Sequence, residues 1–299
     1  MTSPRHPSVR EFPIADSTAG PYGVAIGPDG AIWVTLVHAG EIVRMTADGE
    51  VRRYQLDESA SGPSVITAGS DGALWFTRFR DHRIGRLSLS GQVSSYPIPS
   101  PAGGPYGITA GPDGALWFTE MNSDRIGRIA VDGTIEEFPL PEAGGYPSMI
   151  TAGGDGALWF TLNQANAVGR IDLDGEVTLY PLPTAGAGPV GIAAGAAGGA
   201  CFVEIAAGQL GRITPDGRII EIPLPDRAAR PHAIAARPED GSYWFTEWGA
   251  NRVGQLGPDG TIREYDLPTP KSEPHGIAVG PDGVVWVALE IGAVARLAW

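Results

Sequence analysis

Seven prolines stand at an almost constant interval: Pro21, Pro63, Pro105, Pro147, Pro189, Pro231 and Pro274, 42 residues apart five times and then 43. The same unit surrounds each of them. Its plainest copy is Pro105-Tyr-Gly-Ile-Thr-Ala-Gly-Pro-Asp-Gly-Ala-Leu-Trp117-Phe-Thr-Glu120, then Asp124-Arg-Ile-Gly-Arg-Ile-Ala-Val-Asp-Gly, then Thr134-Ile-Glu-Glu-Phe-Pro-Leu140. Partner tryptophans recur at Trp33, Trp75, Trp117, Trp159, Trp244 and Trp286, with Cys201 in the fifth place. The extra residue of the last interval lies in Arg237-Pro238-Glu239-Asp240. Each unit holds four short apolar or alternating runs separated by Asp-Gly and Gly-rich turns, the pattern of four strands joined by hairpins. Helical periodicity is absent. Four strands in a repeat of this length make a β-propeller blade.

The two ends of the chain complete the prediction. Val9-Arg-Glu-Phe-Pro-Ile14 matches the fourth run of a unit, whereas the chain stops at Ala295-Arg-Leu-Ala-Trp299, after the third run of the seventh. The N-terminal strand must therefore supply the outer strand of the last blade, which closes the ring without an unpaired edge. The expectation is an all-β, seven-bladed β-propeller, a single domain over residues 1–299.

Composition narrows the partners. At 42% hydrophobic the chain is too apolar for disorder, and its 43 glycines and 27 prolines fall in register as turn punctuation. A net charge of −13 argues against nucleic acid or an anionic membrane, both of which need basic surface. One cysteine excludes an internal disulfide and a thiolate zinc site, and fits a reducing compartment. Met1-Thr-Ser-Pro-Arg-His-Pro lacks the apolar core of a signal peptide, and no apolar run reaches membrane-spanning length. A soluble cytoplasmic protein is expected, monomeric because a closed ring exposes no strand edge between its ends. The tryptophans should fill the space between blades. The Arg-Ile-Gly-Arg runs (Arg83 to Arg86, Arg125 to Arg128) read as solvated or inter-blade ion pairs, and Cys201 as a small core residue.

Chemistry is sought where the repeat breaks its own pattern. In a propeller the first strand of each blade runs along the central channel, so the residue after each anchoring proline belongs to a ring at one mouth. That ring reads Tyr22, Ser64, Tyr106, Ser148, Val190, His232 and His275. Two of the five histidines fall in it, in adjacent blades; His6, His38 and His82 lie off it. The residue before the proline is glycine in four blades but Tyr146, Arg230 and Glu273 in the others. The second strand returns to the same mouth and ends in Leu36, Arg78, Glu120, Leu162, Glu204, Glu247 and Leu289-Glu290. Strand direction alone thus converges Glu273, His275 and Glu290 from one blade, and His232 with Glu247 from its neighbour. Two carboxylates beside an imidazole suit Mg²⁺ better than zinc. With a neutral histidine as base they fit proton abstraction next to a carbonyl, or hydrolysis by metal-bound water. The competing reading is a structural salt link plugging the channel.

The units with Gly-Pro-Asp-Gly and Leu-Trp-Phe-Thr-Glu, together with Pro231-His232, Glu273-Pro-His275-Gly and Trp286-Val-Ala-Leu-Glu290, resemble the virginiamycin B lyase (streptogramin B lyase) family over essentially the whole chain. The resemblance implies an enzyme that linearises type B streptogramins, cyclic depsipeptide antibiotics, by elimination at the ester bond. It implies that Glu273 and Glu290 hold Mg²⁺, that His275 accepts the proton, and that His232 and Tyr22 contact substrate. Tyr22, Tyr106, Tyr146 and Trp248 give the mouth an aromatic character suited to a bulky apolar ring; packing of the rim is the other reading of them. Two alternatives remain: a propeller lactonase or esterase using metal-bound water, and a non-enzymatic binding propeller. Glu204 and Glu247 are further carboxylates near enough, on this reading, to take a metal role, and Glu290 points inward only if its strand bulges or ends there.

Overall fold

The computed structural model describes residues 7–195 and 198–299; His6 and most of the N-terminal segment read above lie outside it. Twenty-eight strands form seven four-stranded antiparallel sheets, each innermost strand beginning at one anchoring proline: Pro21–Ile26, Pro63–Ala68, Pro105–Ala110, Pro147–Ala152, Pro189–Ala194, Pro231–Arg237 and Pro274–Val279. Six blades are built from four consecutive strands. The seventh takes its outermost strand, Ser8–Pro13, from the other end of the chain, where it pairs with Ala293–Ala298 (Val9 opposite Leu297, Phe12 opposite Val294). The predicted seven-bladed propeller and its closure are both present. Among the described residues no helix is long and apolar enough to cross a membrane.

Apolar faces between neighbouring blades supply the core. Trp33 of blade one is fully buried, stacks on Tyr54 at 5.5 Å, and packs against Ile66, Leu74 and Phe76 of blade two. Trp75, Trp117, Trp159 and Trp244 repeat this between later blades. An aspartate in the preceding turn holds the indole: Asp29 Oδ1 accepts from Trp33 Nε1 at 3.0 Å, while its Oδ2 accepts from Arg44 Nε at 2.6 Å. Asp71 with Arg86, Asp113 with Arg128 and Asp155 with Arg170 do the same. The last arginine of each Arg-Ile-Gly-Arg run therefore pairs inside its own blade, clamping the tryptophan, and is not an inter-blade link. In blade five Cys201 lies fully buried against Ile234 and Phe245 of blade six, a small core residue as expected, its thiol pushed up to about 12 by burial.

Every innermost strand carries a bulge just after its proline. Pro105 opposes Glu120, yet Ile108 opposes Phe118, so one residue is inserted at Tyr106-Gly107, and the shift recurs in all seven blades. A bulge re-aims the local side chain and bends the strand. Threonines of the second strand lock it in place. Thr35 Oγ1 accepts from Gly23 N and donates to the Ser64 carbonyl of the next blade, both at 2.7 Å. Thr77, Thr119, Thr161 and Thr246 make the same bridge to the ring carbonyls of Tyr106, Ser148, Val190 and His275. Five ring residues, His275 among them, are thus fixed by both the bulge and the neighbouring blade, whereas Ala288 and Val203 stand in the threonine place beside Tyr22 and His232.

Candidate active site

Ring closure sets blade seven beside blade one, so three ring residues from blades six, seven and one become neighbours. The His232 and His275 rings lie 5.1 Å apart at 77°. Tyr22 lies 4.7 Å from the His275 ring and 5.9 Å from the His232 ring. The Tyr22 hydroxyl contacts His232 Nε2 at 3.3 Å and shares a short hydrogen bond with the Tyr106 hydroxyl. Tyr106 in turn packs edge-on against Phe79.

Glu273 enters from the position before the proline, where the backbone is left-handed in every blade. Its φ is +49°, against +65°, +61°, +62° and +63° at Gly20, Gly62, Gly104 and Gly188, and +54° and +50° at Tyr146 and Arg230. A side chain there costs roughly 1–2 kcal/mol relative to glycine, and such local strain gathers where function requires a particular residue. Glu290 follows directly on the second strand, Val285–Leu289, and its N–H is shared between the Ser272 carbonyl at 2.9 Å and the pre-proline Glu273 carbonyl at 3.4 Å. Glu273, His275 and Glu290 each offer a ligand atom, and these atoms lie within 4.8 Å of one another. His275 Nε2 bonds Glu290 Oε2 at 2.6 Å; its Nδ1 is buried without a partner, so Nε2 is the nitrogen that faces the cluster. The expected convergence of these three side chains is observed.

The other second-strand ends do not join them. In blades one to six the residue bonded back to the pre-proline carbonyl, as Glu290 is, comes one position later than expected: Val37, Phe79, Met121, Asn163, Ile205 and Trp248. Of these, Val37, Phe79 and Met121 line the cavity at the mouth, and Trp248 lines the one beside it. Leu36, Arg78, Glu120, Leu162, Glu204 and Glu247 point the opposite way and are buried, because successive side chains of a strand alternate between faces. Glu247 faces Glu264, Arg252 and Asp226, not His232; Glu204 accepts from Gln209 Nε2 at 2.6 Å. Neither belongs to the cluster.

Those buried carboxyls are protonation sites in their own right. Burial, reinforced by Glu264 beside it, pushes Glu247 up from 4.5 to about 8. Burial likewise lifts Glu120 and Glu204 to about 7. A carboxyl raised on folding holds its proton more tightly in the folded chain. Its contribution is full below about pH 4.5 and is lost as pH rises through the folded value. Stability should therefore fall from pH 5 to pH 8, by on the order of 1 kcal/mol per pH unit per carboxyl. Glu247→Gln keeps the shape and removes one such group. At about 1 kcal/mol per pH unit, its melting-temperature gain over the parent should be larger at pH 8 than at pH 5 by on the order of 5–10 °C, as thermal denaturation across that range will read.

The cluster has a different electrostatic character. Burial opposes the charge of Glu290, but the hydrogen bond and charge of His275, with Glu273 and His38 adding to them, hold its carboxyl below the usual value. Burial, with His275 beside it, pushes His232 down to about 3, so it is a neutral imidazole at any working pH. Burial and Tyr106 raise the Tyr22 hydroxyl well above 10. His38, which lies off the ring, reaches the site: its Nε2 is 3.6 Å from Glu290 Oε1 and its Nδ1 meets Arg80 at 3.3 Å. It sits in the turn after the second strand, and that turn returns to the same mouth; this was the signal available in the sequence. The mouth opens into a cavity of about 420 Å³ lined by Tyr22, His38, Phe79, Tyr106, His275 and Glu290 among others. Oxygen and imidazole donors of this kind fit a hard divalent cation, with an aromatic wall beside them for an apolar ligand.

A ring propeller with a carboxylate–imidazole cluster at one mouth defines a family here. The Virginiamycin B lyase family matches residues 7–297, and the chain belongs to that family. A structure described as a streptogramin B lyase superposes with a TM-score of 0.94 at 44% identity, covering 98% of this chain and 97% of that one. A catalytically inactive histidine-to-alanine variant of virginiamycin B lyase from Staphylococcus aureus, solved with quinupristin, gives 0.93 at 42% identity over 98% and 99%. Virginiamycin B lyase of Streptomyces coelicolor is 58% identical over 41 residues, a match spanning 14% of each chain. That of Saccharopolyspora erythraea is 57% identical over 50 residues, 17% of each.

Proposed function

We propose that this protein linearises type B streptogramins by elimination at their ester bond, with a divalent cation, Mg²⁺, held by Glu273 and Glu290. Convergence of Glu273, His275 and Glu290 within 4.8 Å is the observation that carries the reading. Family membership supports it, as does the likeness to an inactive histidine variant solved with quinupristin.

The acylated threonine of such an antibiotic carries an acidic hydrogen on the carbon next to a carbonyl, and a carboxylate leaving group on its β-carbon. A bound cation would supply positive charge where the carbonyl oxygen becomes negative. His275 Nε2 takes the α-proton; the Cα–H pair becomes a C=C bond, the Cβ–O bond breaks, and the carboxylate departs with that pair. The ring opens and no water enters. In this structure His275 Nε2 bonds Glu290 Oε2 at 2.6 Å, so it is free to accept the α-proton only when the Glu290 carboxylate turns from it to the cation. Tyr22 lines the cavity beside His275 and contacts substrate there, and the neutral His232 bound to its hydroxyl stands next to it as the second substrate contact. A label tests the step: with deuterium on the threonine α-carbon, elimination releases the label to solvent and slows turnover. Label kept in a ring-opened product would instead indicate an esterase that leaves this carbon untouched.

A further inference from the structure

Glu273 also lines a second cavity, of about 360 Å³, on the side of blade six. Arg230, Trp248, Asn251 and Lys271 complete its polar wall. The character of this cavity is opposite to that of the aromatic one. Lys271 is the sole lysine in a chain with 34 acidic and 21 basic residues. Among the described residues neither Lys271 nor Arg230 forms an ion pair, although carboxylates outnumber cations in this molecule. Arg230 lies over the Trp248 ring with its guanidinium carbon 5.6 Å from the centroid, a contact that steers the charge without neutralising it. The cation of the aromatic cavity, Arg80, is by contrast engaged by His38.

The backbone is arranged to present these groups. Arg230 (φ +50°) and Lys271 (φ +56°) are both left-handed, as Glu273 is. Asn251 fixes the segment that carries Lys271: its Oδ1 accepts from Ser272 N at 2.7 Å and its Nδ2 donates to the Thr269 carbonyl at 3.0 Å. Two unpaired cations thus face a cavity that shares Glu273 with the His275 cluster.

We propose that Arg230 and Lys271 form an anion subsite that receives the carboxylate expelled when the ester opens. The inference rests on the ester-opening reading above. In that reaction the Cβ–O pair leaves on the carboxylate, nothing is oxidised, and nothing is added. Glu273 of the cluster shares its cavity with the guanidinium of Arg230 and the ammonium of Lys271, so a carboxylate leaving on that side of the cluster would meet both. Charge-assisted bonds to a departing anion stabilise the transition state more than the neutral ester.

The test uses two ligands made without the protein. Hydroxide opens a type B streptogramin to the linear acid, and ammonia opens it to the linear primary amide. Calorimetry with the metal-free protein compares them. The parent should bind the acid about tenfold more tightly than the amide, the worth of one charge-assisted pair. In Arg230→Gln/Lys271→Gln the preference should vanish while amide binding stays unchanged, which also shows that the mouth is intact. Lys271→Gln alone should lose part of the preference, so the result does not hang on the double variant folding. Equal binding of acid and amide by the parent overturns the proposal, as does a preference that survives in the variants, or no binding of either ligand. If the antibiotic stays closed while the acid still outbinds the amide, the lyase reading falls and the anion subsite stands.

Discussion

His275→Ala should lower kcat for ring opening by on the order of a thousandfold, the scale of a lost general base, with melting temperature within about 2 °C of the parent. His275 stands at an open mouth, its side chain 12% exposed, against Tyr22 and His232. Truncation there leaves space that solvent can fill, not a sealed void in the core. KM should change little, because the imidazole acts on a proton that moves only in the transition state. Steady-state kinetics and a thermal melt on one preparation settle the matter. Turnover near the parent rate would remove His275 from the chemistry. Collapse of the fold would make the cluster a structural plug.

The two carboxylates make the second large prediction. Glu273→Gln and Glu290→Gln should each weaken Mg²⁺ binding by at least about tenfold and lower activity with it, since each removes a charged oxygen donor. Glu204→Gln should leave metal binding unchanged, because Glu204 lies buried on the opposite strand face against Gln209. Glu273→Gly is the most discriminating variant. Glycine already occupies that left-handed position in four other blades. The substitution should therefore abolish activity while leaving stability unchanged or raising it by up to about 1 kcal/mol. If Glu273 instead held the channel together by a salt link, the same variant would lose stability. Calorimetric titration with Mg²⁺ and denaturant melts separate the two.

Most of the architecture was legible because propeller physics writes itself into a period. The prolines mark where each innermost strand begins, the tryptophans mark the inter-blade faces, and the unmatched strands at the two ends declare the closure. The ring from Tyr22 to His275 could be read for the same reason, since it depends only on counting from the proline. The second-strand ends could not. A bulge adds one residue to every first strand, and the side chain that rims the mouth comes one position past the last paired residue. Glu290 occupies that later position and reaches the cluster, whereas Glu120, Glu204 and Glu247 stand one residue earlier and are buried on the other face. Of the two readings of the arginine runs, the solvated ion pair holds and the inter-blade one does not: Arg86 pairs with Asp71 in the preceding hairpin of its own blade, a contact set by hairpin geometry and invisible in spacing alone. His38 escaped because its role depends on the turn that carries it over the mouth.

The central claim is that the Glu273–His275–Glu290 cluster opens an ester by metal-dependent elimination. It is tested most directly by mass spectrometry of a type B streptogramin incubated with the protein, first with Mg²⁺ and then with a chelator. A ring-opened product of unchanged mass, formed with the metal and absent with the chelator, is the predicted result. A product one water heavier would contradict elimination, and an intact antibiotic under both conditions would contradict the proposed function altogether.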